Sequence, residues 1–250
     1  MKKKKLLNFL LPIITIAIIL VFWTISAIKI DNKFILPDLS ETLTAFFSLF
    51  IHAEFYSAFF GTLLRSIIAF ICSFTVALIL AFVSDRYPLS KKIIAPIVSI
   101  LRAMPTIAVV LLLLLWTISQ VAPVIVTALV VFPTCYTSII TAINSVDKDQ
   151  IEASKIDGAT NKNIIFNIQF LQILHELLMV IGSGLSLNIK LMVAAEVLSQ
   201  TANSMGLLLN VSKVYFEVAT MFALVLVSVI IGLLIEGLFS YISKKVGKWQ

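Results

Sequence analysis

Charged residues are scarce in this sequence. Aspartate, glutamate, lysine and arginine make up only 13% of its 250 residues, whereas 60% of the residues are hydrophobic. Soluble globular domains are about one quarter charged, so this composition excludes a soluble fold and indicates an integral membrane protein. We assign residues 1–35 to an additional N-terminal span with the start of an external loop, and residues 36–250 to the core of the protein.

Motifs that support catalysis are also missing. The sequence has no G-x-x-x-x-G-K-[ST] phosphate loop, no H-E-x-x-H zinc motif and no G-x-S-x-G nucleophile motif. Its two cysteines, Cys72 and Cys135, lie in apolar runs, where we expect small core residues rather than a disulfide or metal pair. The two histidines, His52 and His175, offer no ligand cluster. We therefore predict a chain that holds no metal or cofactor and does not hydrolyse ATP.

What the sequence has instead is a series of apolar runs, each long enough for the roughly 20 residues that cross a bilayer. We predict an all-α transmembrane bundle of six spans. The fifth run is about 39 Å long as one helix, so it must tilt, break or emerge from a hydrocarbon layer of about 30 Å. The predicted spans cover residues 6–28, 58–83, 93–119, 123–143, 173–198 and 215–238.

Two stretches outside the spans also carry local expectations. Residues 39, 43, 46 and 50 place apolar side chains on one stripe, which predicts an amphipathic helix at the membrane surface. Ser40 is the candidate cap of this helix. Residues 199–213 are expected to form a short loop that contains Gly206.

The net charge of +6 would also suit a nucleic-acid-binding protein, but the distribution of the basic residues argues against it. Of 19 lysines and arginines, thirteen flank the spans on one side, three flank them on the other side and three lie within spans. This asymmetry follows the positive-inside rule. We therefore expect a multi-pass protein of a bacterial cell membrane, with both termini in the cytoplasm, the lipid bilayer as a partner and no nucleic acid.

One long polar segment, residues 145–172, interrupts the apolar sequence. Asp149 and Glu152 have the spacing of a capping box, and Gly158 suits the end of the short helix that follows. A second helix begins near Thr160 and leads back into the membrane. By the positive-inside count this segment is cytoplasmic, and its hinged shape predicts a docking site for a soluble partner. The plain alternative is an ordinary solvated loop.

This segment resembles the EAA loop of bacterial ABC importer permeases, in which E-A-A and a later G-A precede an apolar helix. The resemblance implies that the short helix seats in a groove of an ATP-hydrolysing subunit, with ATP and magnesium on that partner. Ser154 replaces the usual alanine, and Gln172 stands where members often have proline. The residues assigned to ATPase coupling are Glu152, Ala153, Ser154, Ile156, Asp157, Gly158 and Ala159.

The resemblance extends along the chain from Leu36 and is strongest to the sulfonate, nitrate and taurine branch of these permeases. It is carried by LPDLSETLTAFFSLF with TLLRSIIAF, by LRAMPTIAVVLLLLLW, by KLMVAAEVL and MGLLL, and by IGLLIEGLF with Trp249. It implies a type I importer permease fold with residues 36–250 as the permease core. It also implies two ATPase subunits, an extracytoplasmic substrate-binding protein and a second permease subunit, in the simplest case a homodimer.

Charges inside spans are costly and usually face a bundle interior or a water-filled path. The candidates for the translocation path are Arg65, Arg102, Lys190 and Glu196. Arg65 could instead snorkel to a membrane surface, and Arg102 could bond a carbonyl that Pro105 leaves free. Lys190 and Glu196 lie about 120° apart on a helix, which makes them poor partners for each other. Packing between helices is the alternative function of this fifth span.

Three classes of function remain open on the sequence. The first is the membrane subunit of an ATP-driven importer for a small anionic or organic solute, of the sulfonate, nitrate, taurine or thiamine-precursor class. The second is a stand-alone secondary transporter, which would need coupling-ion sites and often shows internal repeats. The third is a membrane-embedded enzyme or scaffold, which the missing catalytic motifs disfavour.

Overall fold

A computed structural model describes residues 2–146, Glu152, Ile156 and residues 170–247, and these residues form an all-helical structure. A single helical turn, Phe170–Gln172, precedes the long helix that begins at Leu174. The helices are α1 (Lys2–Ile30), α2 (Leu39–Leu49), α3 (Ala53–Arg86), α4 (Pro88–Ala103), α5 (Thr106–Trp116), α6 (Ala122–Asn144), α7 (Leu174–Ser199), α8 (Met205–Val214) and α9 (Val218–Val246).

Five of the described helices are long and apolar enough to cross a membrane, and a bent pair brings the number to six. The five are Leu10–Ile30 of α1 together with α3, α6, α7 and α9. The transmembrane helical architecture is therefore confirmed. The overlong fifth span proves to be one unbroken helix of 26 residues.

The third predicted span, residues 93–119, was expected to be continuous and is not. Helices α4 and α5 meet at an angle of 95° across Met104 and Pro105. Met104 has an extended backbone, with ψ of 126°, because the ring of a following proline disfavours the helical conformation. Pro105 also has no N–H with which to continue the helical hydrogen bonds. The break therefore follows from one local residue pair within an apolar run.

Three smaller expectations also need correction. Helix α2 begins at Leu39 with Asp38 at its N-cap position, so Ser40 does not cap it. Residues 199–213 are not simply a loop, because most of them form α8. Of the two cysteines only Cys135 is a buried core residue, whereas Cys72 is exposed.

The described chain forms two compact units. The first comprises Met1–Tyr56 and Leu208–Val227. In it the indole Nε1 of Trp23 donates to the Pro37 carbonyl at 3.0 Å, and the Trp23 ring lies 5.0 Å from that of Phe222. Exposed Lys33 pairs with Glu41, and this hydrogen bond and charge raise the pKa of Lys33 above its ordinary value. The predicted division after residue 35 falls inside this unit and stays a prediction.

The second unit comprises Ser57–Leu207 and Ser228–Gln250. Its core lies where α6 packs on the neighbouring helices, with Val131, Cys135 and Ile139 fully buried. Two glycines of α7 allow close helix approach. A Cβ added at Gly182 would lie 2.7 Å from the Cβ of Phe239, and one added at Gly184 would lie 2.9 Å from the Phe70 ring.

We expect Gly182→Ala to destabilise the protein. The new methyl group would meet the Cβ of Phe239, an atom fixed to the α9 backbone, so α7 and α9 would have to separate. The free energy of unfolding should fall by about 1–3 kcal/mol, measured by thermal denaturation in detergent. Gly237→Ala is the matched control, because nothing lies within 4 Å of its added Cβ. Equal stability of the two variants would contradict the close packing described here.

Candidate functional site

An ion pair between two membrane-spanning helices is the centre of the candidate site. The Nε of Arg65 on α3 lies 2.8 Å from Oε1 of Glu196 on α7. The Glu196 side chain is fully buried and that of Arg65 is 16% exposed. Arg65 does more than snorkel to a membrane surface, because its Nε bonds a carboxylate 131 residues away.

Further hydrogen bonds attach the segment after α7 to this pair. Arg65 Nη2 donates to the Asn203 carbonyl at 2.8 Å. Thr62 Oγ1 donates to Oε2 of Glu196 at 2.7 Å and accepts a bond from the Met205 backbone N–H at 2.9 Å. The Gly206 N–H also points to Oε2, at 3.4 Å. Both carboxylate oxygens thus have donors, which a buried carboxylate requires.

Two glycines make the close approach possible. An added Cβ at Gly206 would lie 2.4 Å from the Cβ of Glu196, and one at Gly61 would lie 2.3 Å from the Asn203 carbonyl oxygen. The chain turns between Glu196 and Gly206, where Gln200 has φ 49° and Asn203 has φ 50°. A positive φ is uncommon for residues other than glycine. The hydrogen bonds to Glu196 hold this turn in place.

The same turn is tied to the end of the bent helix pair. Thr201 Oγ1 donates to the Ser119 carbonyl at 2.7 Å and lies 2.7 Å from Ser199 Oγ. We name the set Thr62, Arg65, Glu196 and Thr201, which is buried apart from the partly exposed Arg65, the buried polar cluster. Thr62, Thr201 and Asn203 were not predicted as site residues from the sequence. The available signal was Thr62, a polar residue three positions before Arg65 in an apolar run.

Arg102 has a different environment. Its Nη2 donates to Thr137 Oγ1 at 2.5 Å and to the Pro133 carbonyl at 3.4 Å, so it joins α4 to α6. The expectation that it would bond a carbonyl freed by Pro105 is not met. Its partners lie on α6 instead, while the side chain stays exposed.

Lys190 is exposed on α7 and is not brought to Glu196. It forms no ion pair with an acidic side chain among the residues that the structure describes. On the facing helix, Glu236 is half-buried and lines a cavity of about 470 Å³. The other lining residues are Met179, Ser183, Leu233, Gly237 and Ser240. Of the four path candidates, the structure therefore brings together only Arg65 and Glu196.

Two of the residues assigned to ATPase coupling are described. Glu152 and Ile156 are helical and exposed, and Ile156 has 86% of its surface accessible. Their spacing of four residues places both on one face of a helix. The other residues assigned to ATPase coupling, namely Ala153, Ser154, Asp157, Gly158 and Ala159, lie outside the described residues.

Comparison with known proteins identifies the type of chain. Residues 73–248 match the family described as binding-protein-dependent transport system inner membrane component. The taurine transport system permease protein of Escherichia coli (strain K12) is 22% identical over 247 residues, which cover 96% of this chain and 90% of the relative. A probable ABC transporter permease protein of Brucella abortus (strain 2308) is 22% identical over 217 residues, or 86% of each chain.

Solved structures share the fold. A methionine ABC transporter in an inward facing conformation matches with a TM-score of 0.66 at 17% identity, covering 75% of this chain and 93% of that one. An amino acid ABC transporter with histidines also matches with a TM-score of 0.66 at 17% identity, covering 81% of this chain and 96% of that one. The expected type I importer permease fold is confirmed.

We expect Arg65→Met to destabilise the protein strongly, because it leaves the buried Glu196 carboxylate without its cation. The loss should be about 3–5 kcal/mol of unfolding free energy, measured by thermal denaturation in detergent. Adding Glu196→Gln should recover part of that loss. Lys190→Met is the control, with an expected change of less than about 0.5 kcal/mol. Additive losses in the double variant would show that the two side chains do not stabilise each other.

Proposed function

The chain belongs to the family of binding-protein-dependent transport system inner membrane components, and we propose that separate ATPase subunits drive transport through it. As a permease it is the membrane-spanning subunit of an ABC importer. We propose that the complete importer also contains two ATPase subunits, an extracytoplasmic binding protein and a second copy of the permease. The solute would then pass between the two permease copies. The alternative of a stand-alone secondary transporter gains no support from the family match or from the related folds.

The observation that carries the coupling proposal is the exposure of Ile156. Its side chain is 86% accessible within a polar segment that lies outside the membrane-spanning helices. A single exposed apolar side chain is ordinary on a protein surface, but this one lies in the segment that resembles the EAA loop, which makes an ATPase the expected partner that covers it. Glu152 lies one turn away on the same face and is also exposed. We propose that the helix carrying Glu152, Ala153, Ser154, Ile156, Asp157, Gly158 and Ala159 docks in an ATPase groove.

Closure of the ATPase pair on ATP would then move this helix and, through it, the membrane helices. Transitions of this kind proceed by rigid-body motion of packed elements. ATP hydrolysis itself is assigned to the partner, since the sequence has no phosphate-binding loop.

We expect Ile156→Asp to abolish docking while the permease still inserts. A charge in the centre of an apolar contact should lower co-purification of the ATPase by about tenfold or more. Uptake driven by ATP should fall with it. Ile35→Asp is the matched control, because Ile35 is also an exposed isoleucine outside the spanning helices, at 63% accessible.

Co-purification that survives Ile156→Asp would contradict docking at this helix. Uptake that persists after ATP depletion but stops when the proton gradient is removed would contradict an ATPase-driven importer altogether. The two results test different parts of the proposal, so one can fail without the other.

We propose that both termini and the polar segment lie in the cytoplasm and that the chain resides in the inner membrane. The support is the charge asymmetry, in which thirteen basic residues flank the spans on the proposed inner side and three on the outer side. The external stretch then includes Lys33 and Glu41.

Labelling of single cysteines tests this sidedness. In a Cys72→Ser background, a membrane-impermeant maleimide added to intact cells should label Lys33→Cys. It should label Ile156→Cys only after the cells are permeabilised. Both positions are exposed in the structure, so reactivity is expected at each once the reagent has access. Labelling of Ile156→Cys in intact cells would show that the polar segment lies outside the cell. That result would contradict both the proposed topology and docking to a cytoplasmic ATPase.

We propose a small anionic or organic solute as the substrate, of the class that includes sulfonates, nitrate, taurine and thiamine precursors. One supporting observation is that a relative of the chain over nearly its whole length is a taurine permease. The other is a cation exposed on a spanning helix, Lys190.

A further inference from the structure

Lys190 differs from the other two cations within the spans because no residue that the structure describes pairs with it. Arg65 has Glu196 as its counter-ion, and Arg102 donates to groups on α6. The exposed Lys190 ammonium has no hydrogen-bonding or ionic partner in the described ranges of the chain. An unpaired charge in contact with lipid hydrocarbon costs free energy. Charged residues within spans therefore usually face the interior of a helix bundle or water.

The position of Lys190 places it well inside the span. It lies 16 residues after Leu174 and nine residues before Ser199, the two ends of α7. At 1.5 Å per residue these separations are about 24 Å and about 14 Å. The nearer end is about two and a half turns away, so Lys190 belongs to the interior of the membrane layer.

Lys190 lies at the centre of a stripe along α7. Residues three or four apart share a face of a helix, and the members of this stripe are exposed except for half-buried Leu187. The members are Met179, Ser183, Leu187, Lys190, Ala194 and Leu198. A face with a lone cation at its middle is unsuited to lipid, whereas the same cation is compatible with a water-filled path.

A second polar group points to a ligand at the same place. Ser186 is fully buried and its Oγ has no hydrogen-bond partner, although buried hydroxyl groups are nearly always paired. A Cβ added at Gly232 of α9 would lie 2.8 Å from this Oγ and 3.9 Å from Lys190 Nζ. The hydroxyl and the ammonium therefore both lie beside Gly232, which has no side chain, and Lys190 Cε lies nearer to that added Cβ than Nζ, at 3.3 Å.

The chemistry of this pair suits an oxyanion. An ammonium group has three donors and no acceptor, and a hydroxyl adds one more donor. The Cα of Glu236, a half-buried acidic residue of the facing helix, lies 3.7 Å from the Cβ added at Gly182. Its carboxylate forms no ion pair with the Lys190 ammonium.

We infer that Lys190, with Ser186 beside Gly232, holds the oxyanion group of the transported solute as it passes α7. This inference rests on the proposed function, because it requires a translocation path along the α7 stripe. It adds to that function the residue whose charge binds the solute, which is one of the four candidates for the translocation path. Arg65 and Glu196 are then structural, since each satisfies the other.

Charged thiol reagents test the electrostatic part without ATP or a known substrate. Ala194→Cys places a thiol one turn from Lys190 on the stripe, in the complete transporter with Cys72→Ser. In membrane vesicles, the rates of modification by 2-sulfonatoethyl methanethiosulfonate and by its cationic trimethylammonium analogue are compared. The anion-to-cation rate ratio should fall about fivefold when Lys190→Gln is added.

Matched variants sharpen the result. Lys190→Arg keeps the charge and should keep the ratio, and Lys213→Gln removes a lysine outside the long spans and should not change it. Ser186→Ala should lower the ratio about twofold by removing only the second donor. An unchanged ratio in that variant would remove Ser186 from the site.

Two results would overturn the inference as a whole. If neither reagent modifies Ala194→Cys, the stripe does not line an aqueous path. If modification occurs but the ratio is the same with Lys190→Gln, the ammonium does not attract anions. Loss of ATPase docking at Ile156 would leave these measurements unaffected, so failure of the importer mechanism and failure of this site are distinguishable.

Discussion

A charged group inside a membrane must be neutralised by a partner or face water, and this constraint organises the second unit of the protein. Glu196 is fully buried, and its two oxygens accept bonds from Arg65, Thr62 and the Gly206 backbone. Removing water from these groups is costly, so the arrangement is stable only when every partner is present. The buried polar cluster therefore fixes α3, the end of α7 and the start of α8 relative to one another.

The two kinds of membrane charge have opposite meanings for transport. A paired charge such as Arg65 contributes to the framework and has little freedom to bind a passing solute. An unpaired charge such as Lys190 has no framework role among the described residues, and its cost is compensated only by water or a ligand. The distinction depends on neighbours, since both residues look alike in the sequence as single cations within apolar runs.

The sequence predicts most spans well because a run of about 20 apolar residues has few alternatives in a bilayer. Residues 123–143 and 173–198 were predicted as spans, and the helices Ala122–Asn144 and Leu174–Ser199 match them closely. The break at Pro105 was missed because apolar composition continues through it. The conformational restriction is local to Met104 and Pro105.

The contacts of the candidate site were harder to predict. Arg65 and Glu196 are 131 residues apart, and no periodicity within either helix indicates which distant residue it meets. The polar segment was recognisable from its own residues, since caps, glycine and charge lie close together in the chain. Local patterns thus predict elements, whereas partners across elements follow only from the packed structure.

The ties at the Ser199 end of α7 make that end a fulcrum. Hydrogen bonds from Thr62, Arg65 and Thr201 hold the turn there, whereas the opposite end leads from the polar segment. The helix is unbroken over 26 residues, about 39 Å, so its far end lies on a long radius from the tied end. A swing of about 10° at the fulcrum moves the far end by about 7 Å. Small rotations at the tied end thus become wide displacements where the polar segment joins the helix.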